Sequence, residues 1–224
     1  MNTFRTIRIA LLASIFALTP AFAQKNALDE AMGLDGLEKI KVKDIDLVYA
    51  RPGATLAKYK KVMLDPVDVS FHKDWNPERT GSRLKLSPEE RENIRSGVAK
   101  IVHEEFAKTL SAKNAYPIVT AAGPDVLRAK VKIVNLYVNA PDTGVGRSRT
   151  YTVSAGEMTM FLELYDSETG AVLARVVDRR EARNTGQMNL SSAVFNAGEA
   201  QALANEWARI LKKSFDTAHG IGKK

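Results

Sequence analysis

Residues Gly156–Arg180, "GEMTMFLELYDSETGAVLARVVDRR", have the pattern of a β-hairpin and decide the predicted fold. One face of the first arm is apolar and carries Met158, Met160, Leu162 and Leu164. The other face is mixed and carries Thr159, Phe161, Glu163 and Tyr165. A turn is predicted from Asp166 to Gly170, after which Val172, Ala174 and Val176 resume the alternation. A period of two on both sides of a short polar turn is typical of two paired antiparallel strands.

The segment "SPEERENIRSGVAKIVHEEFAKTL", residues 87–110, predicts a long amphipathic helix. Ser87 is placed to cap its first turn, Pro88 suits the first helical position, and Glu90 completes a capping box. Apolar residues recur at helical spacing, namely Ile94, Val98, Ile101, Val102, Phe106 and Leu110. A helix with one apolar face must bury that face, here against a sheet.

The remaining elements complete a two-layer arrangement. Strands are predicted at Lys61–Phe71, Tyr116–Thr120 and Leu127–Val138. A second helix is expected to begin near Asn196, with Glu199 three residues on. Its apolar stripe comprises Ala200, Leu203, Ala204, Trp207, Ile210, Leu211 and Ser214. The order β, α, β, β, β, β, α predicts an α/β two-layer sandwich, with a mixed, mainly antiparallel sheet and two principal helices packed on one face.

The first 23 residues have the pattern of a secretory signal. Arg5 and Arg8 precede an apolar run at Ile9–Leu18, and the segment ends in the small-residue pattern Ala21-Phe22-Ala23. The run is shorter than the roughly 20 residues that span a bilayer, so we expect cleavage after Ala23. A retained membrane anchor is the alternative. Behind the signal we predict a flexible leader at 24–41, a single α/β domain at 42–217 and a disordered tail at 218–224.

The composition points to a soluble periplasmic protein. Removing the predicted signal leaves 201 of the 224 residues and lowers the formal net charge from +7 to +5. The sequence contains no cysteine, so neither disulfides nor a cysteine-linked lipid anchor is expected. No later segment is apolar for long enough to span a membrane. Export removes nucleic acid as a partner, so the basic charge indicates either solubility alone or an anionic envelope component.

Polar residues at the end of the predicted Lys61–Phe71 strand form a first candidate binding site: Asp68, His72 and Trp75. Side chains four residues apart on a strand lie about 13 Å apart. Asp68 and His72 would therefore share a face without touching, and local geometry gives no catalytic triad. The alternative is a strand that leaves the sheet into a polar loop.

A second candidate binding site is the basic loop "TGVGRSRT", residues 143–150, with Arg147 and Arg149. Arg179, Arg180 and Arg183 extend it if the last strand ends nearby. A hairpin tip without function is the alternative, whereas a basic tip could contact an anion or a partner protein.

Three segments together resemble a known family. They are "DLVYARPGATLAKYKKVMLDPVDVSF" (46–71), "GPDVLR" (123–128) and "SAGEMTMFLELYDSETGAVLARVVDRR" (154–180). They are similar to the uncharacterised bacterial exported family catalogued as domain of unknown function 3313, over about Asp46 to Phe215. The resemblance implies an envelope protein, and many members are lipoproteins. This chain departs from them in having no cysteine to acylate, and the family carries no established activity.

No motif of known chemistry emerges from the rest of the chain. His103-Glu104 begins like a zinc-protease motif, but Ala107 stands where the second histidine is needed. We therefore predict no catalytic residue, metal or cofactor. The hypothesis that results is a non-catalytic periplasmic module that binds a partner protein or an envelope component. The alternative is an unrecognised hydrolase using Asp68 and His72, which a deep pocket lined by both residues would favour.

Overall fold

The chain folds into one mixed sheet with two long helices. The computed structural model describes residues 29–76, 85–139, 151–152, 154–183, 187, 189–190 and 192–221. The helices are α1 (Pro88–Ser111) and α2 (Ala193–Ala218). The strands are β1 (Glu38–Ile40), β2 (Leu47–Ala50), β3 (Lys61–Leu64), β4 (Asp68–Phe71), β5 (Val126–Val138), β6 (Tyr151–Thr152), β7 (Gly156–Asp166), β8 (Val172–Glu181) and β9 (Asn189–Leu190). The predicted α/β class is confirmed.

The predicted hairpin forms the centre of a seven-stranded sheet. The order is β1-β2-β8-β7-β5, with β3 and β4 both paired to the outer edge of β5, while β6 and β9 form a separate two-stranded ribbon. Strands β3 and β4 run parallel to β5 and the other neighbours are antiparallel. Met160 pairs with Ile133 and Asp178, and Leu162 pairs with Val131. This register places the alternating apolar residues of β5 and β7 on the face of the sheet that packs against the helices.

Two strand predictions were wrong in detail. The expected single strand Lys61–Phe71 is interrupted between β3 and β4, where Pro66 has no N–H to donate to β5. Residues 116–120 form only a one-residue bridge, Val62 with Ile118, in the described structure. Pro117 lacks a donor, and the N–H of Tyr116 is already bonded to the Leu110 carbonyl at the end of α1. Too few backbone groups remain there to continue a ladder.

The sheet begins before the predicted domain start at residue 42. Residues 29–32 are helical, Met32 and Leu37 pack against Tyr49, and β1 pairs with β2. The Arg175 guanidinium lies 2.6 Å from a carboxylate oxygen of Asp35. Residues 29–37 therefore pack on the face of the sheet opposite the helices, and residues 38–40 extend its edge. Residues 1–28, which include the predicted signal and the start of the leader, lie outside the described residues.

Both helices are capped by serine. The Ser87 hydroxyl accepts from the Glu90 N–H at 3.2 Å, and the Ser87 N–H donates to Glu90 Oε2 at 2.7 Å, which confirms the predicted capping box. Helix α2 begins at Ala193, earlier than expected, because Ser192 accepts from the Phe195 N–H at 3.0 Å. It also runs past the predicted domain end at 217, to Ala218, and Ile221 still bonds to its last turn.

The two helices run in the same direction across the sheet. Glu105 of α1 accepts hydrogen bonds from Gln201 and Asn205, and Tyr116, just after α1, donates to Asp216 near the end of α2. Their C-terminal halves fill the space above the sheet with large buried side chains, namely Val102, Phe106, Leu110, Trp207, Leu211 and Phe215. Large buried side chains are therefore concentrated at the end of the molecule where both helices finish.

A buried carboxylate joins α2 to the sheet. Asp178 of β8 is almost fully buried. It accepts from the Asp46 N–H at 2.9 Å, from Arg180 Nε at 2.7 Å and from Trp207 Nε1 at 2.7 Å. Three donors satisfy a charge that would otherwise be costly to bury. Asp178 thus fixes the indole of the helix against the sheet.

A second carboxylate, Asp166, makes the stability depend on pH. Its carboxylate accepts hydrogen bonds from Lys58 Nζ at 2.6 Å, from Tyr59 Oη at 2.9 Å and from the Thr169 N–H at 3.0 Å. These hydrogen bonds hold the pKa of Asp166 well below its ordinary value. Because the folded pKa is lower than the unfolded one of about 3.9, the stabilisation is complete above that pH and is lost as the pH falls below it.

We expect Asp166→Asn to lower the free energy of unfolding at neutral pH and to flatten its decline between about pH 5 and pH 2. Denaturant titrations across that range measure both effects. The exposed Glu168, in the same turn, supplies the control Glu168→Gln, which should keep the parent slope. Identical slopes for the two variants would contradict the assignment to Asp166.

Candidate functional site

A cavity of about 500 Å³ lies between the N-terminal halves of α1 and α2, above the C-terminal end of β5 and the N-terminal end of β7. We call it the inter-helix cavity. Its helical walls present small side chains, namely Gly97, Ala193, Ala197 and Ala200. The C-terminal halves of the helices meet through large side chains, whereas these residues leave the space unfilled. The cavity therefore exists because the small residues of both helices lie in their N-terminal halves.

The floor of the cavity is shaped by an irregularity in the sheet. Pairing of β5 with β7 shifts between Val134 and Tyr137, where Asn135 has a positive φ of 55°. Gly156 opposes this point with φ of 141°, and a Cβ atom there would lie 1.9 Å from the Tyr137 carbonyl oxygen. Only glycine fits so close an approach. Val138, just after this bulge, is one of the residues that line the cavity.

The charged side chains among the described lining residues are acidic. Glu90, Glu157 and Glu199 line it, and no lysine or arginine does so among its described lining residues. Glu199 accepts from the Arg183 N–H at 3.2 Å, and Glu157 is paired with Arg179. Both guanidinium groups are more exposed than the carboxylates they contact. The cavity therefore has apolar walls with carboxylates among them.

Exposed apolar side chains surround this end of the molecule. They are Tyr137, Tyr151, Leu190 and Val194, which we call the apolar rim. Tyr137 lines the cavity, and Val194 follows lining residue Ala193 and is 83% exposed. Tyr151 pairs with Leu190 in the β6–β9 ribbon. Four of the seven large apolar residues that are exposed in the described structure thus belong to this rim.

Trp75, a predicted binding residue, supports the cavity from behind. It is 3% exposed, and its Nε1 donates to the Val138 carbonyl at 2.9 Å. Its ring stacks on Phe71 with centroids 4.1 Å apart, and the Arg91 guanidinium lies over it at 5.4 Å. Trp75 therefore holds the strand end that forms the cavity wall and presents little surface to a ligand.

The structure does not bring Asp68 and His72 together. Asp68 is exposed on β4, opposite Lys132 of β5. His72 Nδ1 accepts from the Asp74 N–H at 3.2 Å. The rings of His72 and Tyr137 are arranged edge to face, with their centroids 6.1 Å apart. Neither Asp68 nor His72 lines the inter-helix cavity. The cavity is thus not the pocket lined by both residues that would favour a hydrolase.

The predicted arginines differ in their surroundings. Arg180 is engaged within the fold by Asp178, by Glu206 and by the Asp44 carbonyl. Desolvation lowers the pKa of its guanidinium, but the hydrogen bonds with the two carboxylates outweigh it and raise the pKa above its ordinary value. Arg179 is more exposed and contacts Glu157 at the cavity. Arg147 and Arg149 lie outside the described residues.

Neither a metal centre nor a membrane-spanning helix is found in the described ranges. Within them, His, Asp and Glu side chains form no group of three that could hold a metal ion. Nor does any helix of that part of the chain combine the length and the apolar character needed to cross a bilayer.

Comparison with known proteins identifies the family. Residues 28–211 match the model of the family described as "Protein of unknown function (DUF3313)". The chain belongs to this family. No curated protein matches the sequence of this DUF3313 member.

Solved structures show weak likenesses to this DUF3313 protein. The PelC dodecamer from Paraburkholderia phytofirmans is 17% identical, with a TM-score of 0.36, and the match covers 75% of this chain and 95% of that chain. A candidate lipoprotein from Caulobacter crescentus CB15 is 13% identical, with a TM-score of 0.33, over 75% and 94% of the two chains. Likenesses at this level do not extend to a function.

Sequence reasoning missed the residues that create the cavity. The available signal was Gly97, a glycine in the interior of the best-defined helix, where alanine would be more stable. The spacing of Ala193, Ala197 and Ala200 gave a second signal in α2. Each pattern alone also fits close helix packing. Only the parallel arrangement of the two DUF3313 helices shows that the small residues face a shared space.

Proposed function

We propose that this protein is an exported, non-catalytic member of the cell envelope that binds the apolar part of an envelope component in the inter-helix cavity. The observation that carries the proposal is a cavity of about 500 Å³ with mainly apolar walls. Small-molecule sites typically measure about 300–1,000 Å³ and have apolar walls with few polar groups. The apolar rim adds a surface at which such a component can be handed over.

The sequence supports export and a periplasmic location. Residues 1–23 have the three parts of a secretory signal. The chain itself lacks a cysteine for lipid attachment. We expect the intact mass of protein isolated from a bacterial periplasm to correspond to a chain that begins at Gln24. A product that retains residues 1–23 would indicate a membrane-anchored protein instead.

The cavity favours a small apolar group over a partner protein as the primary ligand. The space lies between the helices and is partly enclosed by the sheet, so a flat protein surface cannot fill it. A chain or ring that enters between α1 and α2 can contact Ile94, Val98 and Leu203 at once. Burial of apolar surface contributes about 25 cal/mol per Å², which gives such a ligand its affinity.

Filling the cavity should abolish binding without destabilising the protein. A Cβ at Gly97 meets nothing within 4 Å, and Gly97 lines the cavity. Leucine is favoured over glycine in a helix by roughly 0.5–1 kcal/mol, so Gly97→Leu should retain stability while its side chain occupies the ligand space. We expect at least about tenfold weaker binding of the neutral apolar fluorophore N-phenyl-1-naphthylamine.

The chain offers a matched control for this variant. Gly198 is also inside a helix, also has open space at its Cβ, and does not line the cavity. Gly198→Leu should gain similar helix stability and bind the fluorophore like the parent. Equal binding by the two variants would overturn the assignment of the site, and loss of binding in both would place it elsewhere on the helices.

A further inference from the structure

We infer that the natural ligand of the inter-helix cavity is an amphiphile with one apolar chain and a hydrogen-bonding head that carries no net negative charge. The inference rests on the proposed function and specifies the class of ligand. It departs from the anionic component that the basic net charge of the chain suggests. The preference depends on the charges at the cavity and not on those of the whole molecule.

The first step is the sign of the charge that a ligand head would meet. The charged side chains among the described lining residues are the carboxylates of Glu90, Glu157 and Glu199. An anionic head at this position would be repelled in surroundings partly shielded from water. A hydroxyl or an ammonium group can instead donate to a carboxylate oxygen.

The second step concerns the arginines that partner two of these carboxylates. The Glu199 side chain is 13% exposed and that of Arg183 is 74% exposed. Arg179 likewise lies further towards solvent than Glu157. Because the guanidinium groups are on the solvent side, water and salt screen their charges more strongly than those of the carboxylates. A head group in the cavity therefore meets the acidic members of these pairs first.

The helix termini exert an opposing effect that is too small to reverse the preference. Each helix N-terminus carries roughly half a positive charge. In α1 this is offset by Glu89 and Glu90 in the first turn, whereas the first turn of α2 contains no acidic residue. About half a unit of positive charge from α2 thus faces the carboxylates of Glu157 and Glu199. The sum still disfavours an anionic head.

The third step is the position of the apolar chain. Val98, Leu136, Met158 and Leu203 line the interior of the cavity, and Leu136, Met158 and Leu203 also belong to the main core. Two residues of the exposed apolar rim adjoin this interior: Tyr137 lines the cavity, and Val194 lies in the first turn of α2. One chain can therefore run from the rim into the core while its head remains near the carboxylates.

Three amphiphiles with the same twelve-carbon chain test the inference: neutral dodecyl maltoside, dodecylammonium and dodecanoate. Each competes with bound N-phenyl-1-naphthylamine on the full-length mature protein, below its micelle concentration and at about pH 8, where dodecanoate is ionised and dodecylammonium is protonated. We expect the neutral and cationic compounds to displace the fluorophore at concentrations at least about tenfold lower than dodecanoate.

A charge variant assigns the discrimination to the cavity. Glu199→Gln keeps the shape of the side chain and removes its charge, so dodecanoate should bind several-fold more tightly to it than to the parent. Glu92→Gln, on the exposed surface of α1 and outside the cavity lining, should leave the ratio unchanged. If Glu199→Gln also leaves the ratio unchanged, the carboxylates do not set the preference and the inference fails.

The outcomes separate this inference from the proposed function. Dodecanoate binding as tightly as dodecyl maltoside, with Gly97→Leu blocking both, would overturn the ligand class and leave the cavity as the binding site. Failure of the fluorophore and of all three amphiphiles to bind would overturn the proposed function together with the inference.

Discussion

Gly156→Ala is expected to prevent stable folding, with a loss of at least about 4 kcal/mol in the free energy of unfolding. The added Cβ would lie 1.9 Å from the Tyr137 carbonyl oxygen and 2.9 Å from its carbonyl carbon. These are backbone atoms of the paired strand, so no side-chain rotation relieves the clash. The φ of 141° at Gly156 is also strained for any L-residue with a side chain. Expression yield, circular dichroism and denaturant melts measure the loss.

Gly170→Ala separates the clash from the cost of a positive φ. Gly170 has φ of 69° in the β7–β8 turn, and a Cβ there meets nothing within 4 Å. Alanine in this left-handed conformation should cost only about 1–2 kcal/mol. If Gly156→Ala is no more destabilising than Gly170→Ala, the close approach of β5 to β7 is not as described.

Trp207→Ala is expected to cost about 3–5 kcal/mol. The indole is 1% exposed and lies in the main core between α2 and the sheet. Its removal leaves a large void and also takes a hydrogen-bond donor from the buried Asp178 carboxylate. The two losses act on the same contact, because the ring and the carboxylate together hold the helix on β8. Urea melts monitored by circular dichroism measure the change, because this signal does not depend on the fluorescence of the deleted tryptophan.

Two further variants divide this effect into its parts. Trp207→Phe keeps most of the apolar volume and removes the N–H, so a cost of about 1–3 kcal/mol is expected for the unmade hydrogen bond. Ser87→Ala removes only the N-cap of α1 and should cost about 1 kcal/mol. A Trp207→Ala variant no less stable than Ser87→Ala would contradict the packing of α2 on the sheet.

The parts of the fold that the sequence predicts well are those determined by neighbours in the chain. The alternation in Gly156–Arg180 sets both strands and the turn of the central hairpin, because the paired residues are close in sequence. The capping box at Ser87 and Glu90 likewise depends on residues three apart. Both features are local, and both are found where the pattern placed them.

The parts that sequence patterns missed depend on distant contacts. Strand β1 has only three exposed residues and no alternation, and it exists because β2 lies beside it. The inter-helix cavity requires Gly97 and Ala197, which are far apart in the chain, to line the same space. Asp68 and His72 attracted attention because they are near in sequence, yet neither reaches the cavity.

The interruption of the strand between β3 and β4 has a consequence for solubility. A long, continuous strand at the side of a sheet is a template on which further chains can add and aggregate. Here that side is divided by Pro66 into two strands of four residues each. The opposite side ends in β1, three residues long with Glu38 and Lys39 exposed. Both borders are poor templates for strand addition, so the sheet is protected against growth into fibrils.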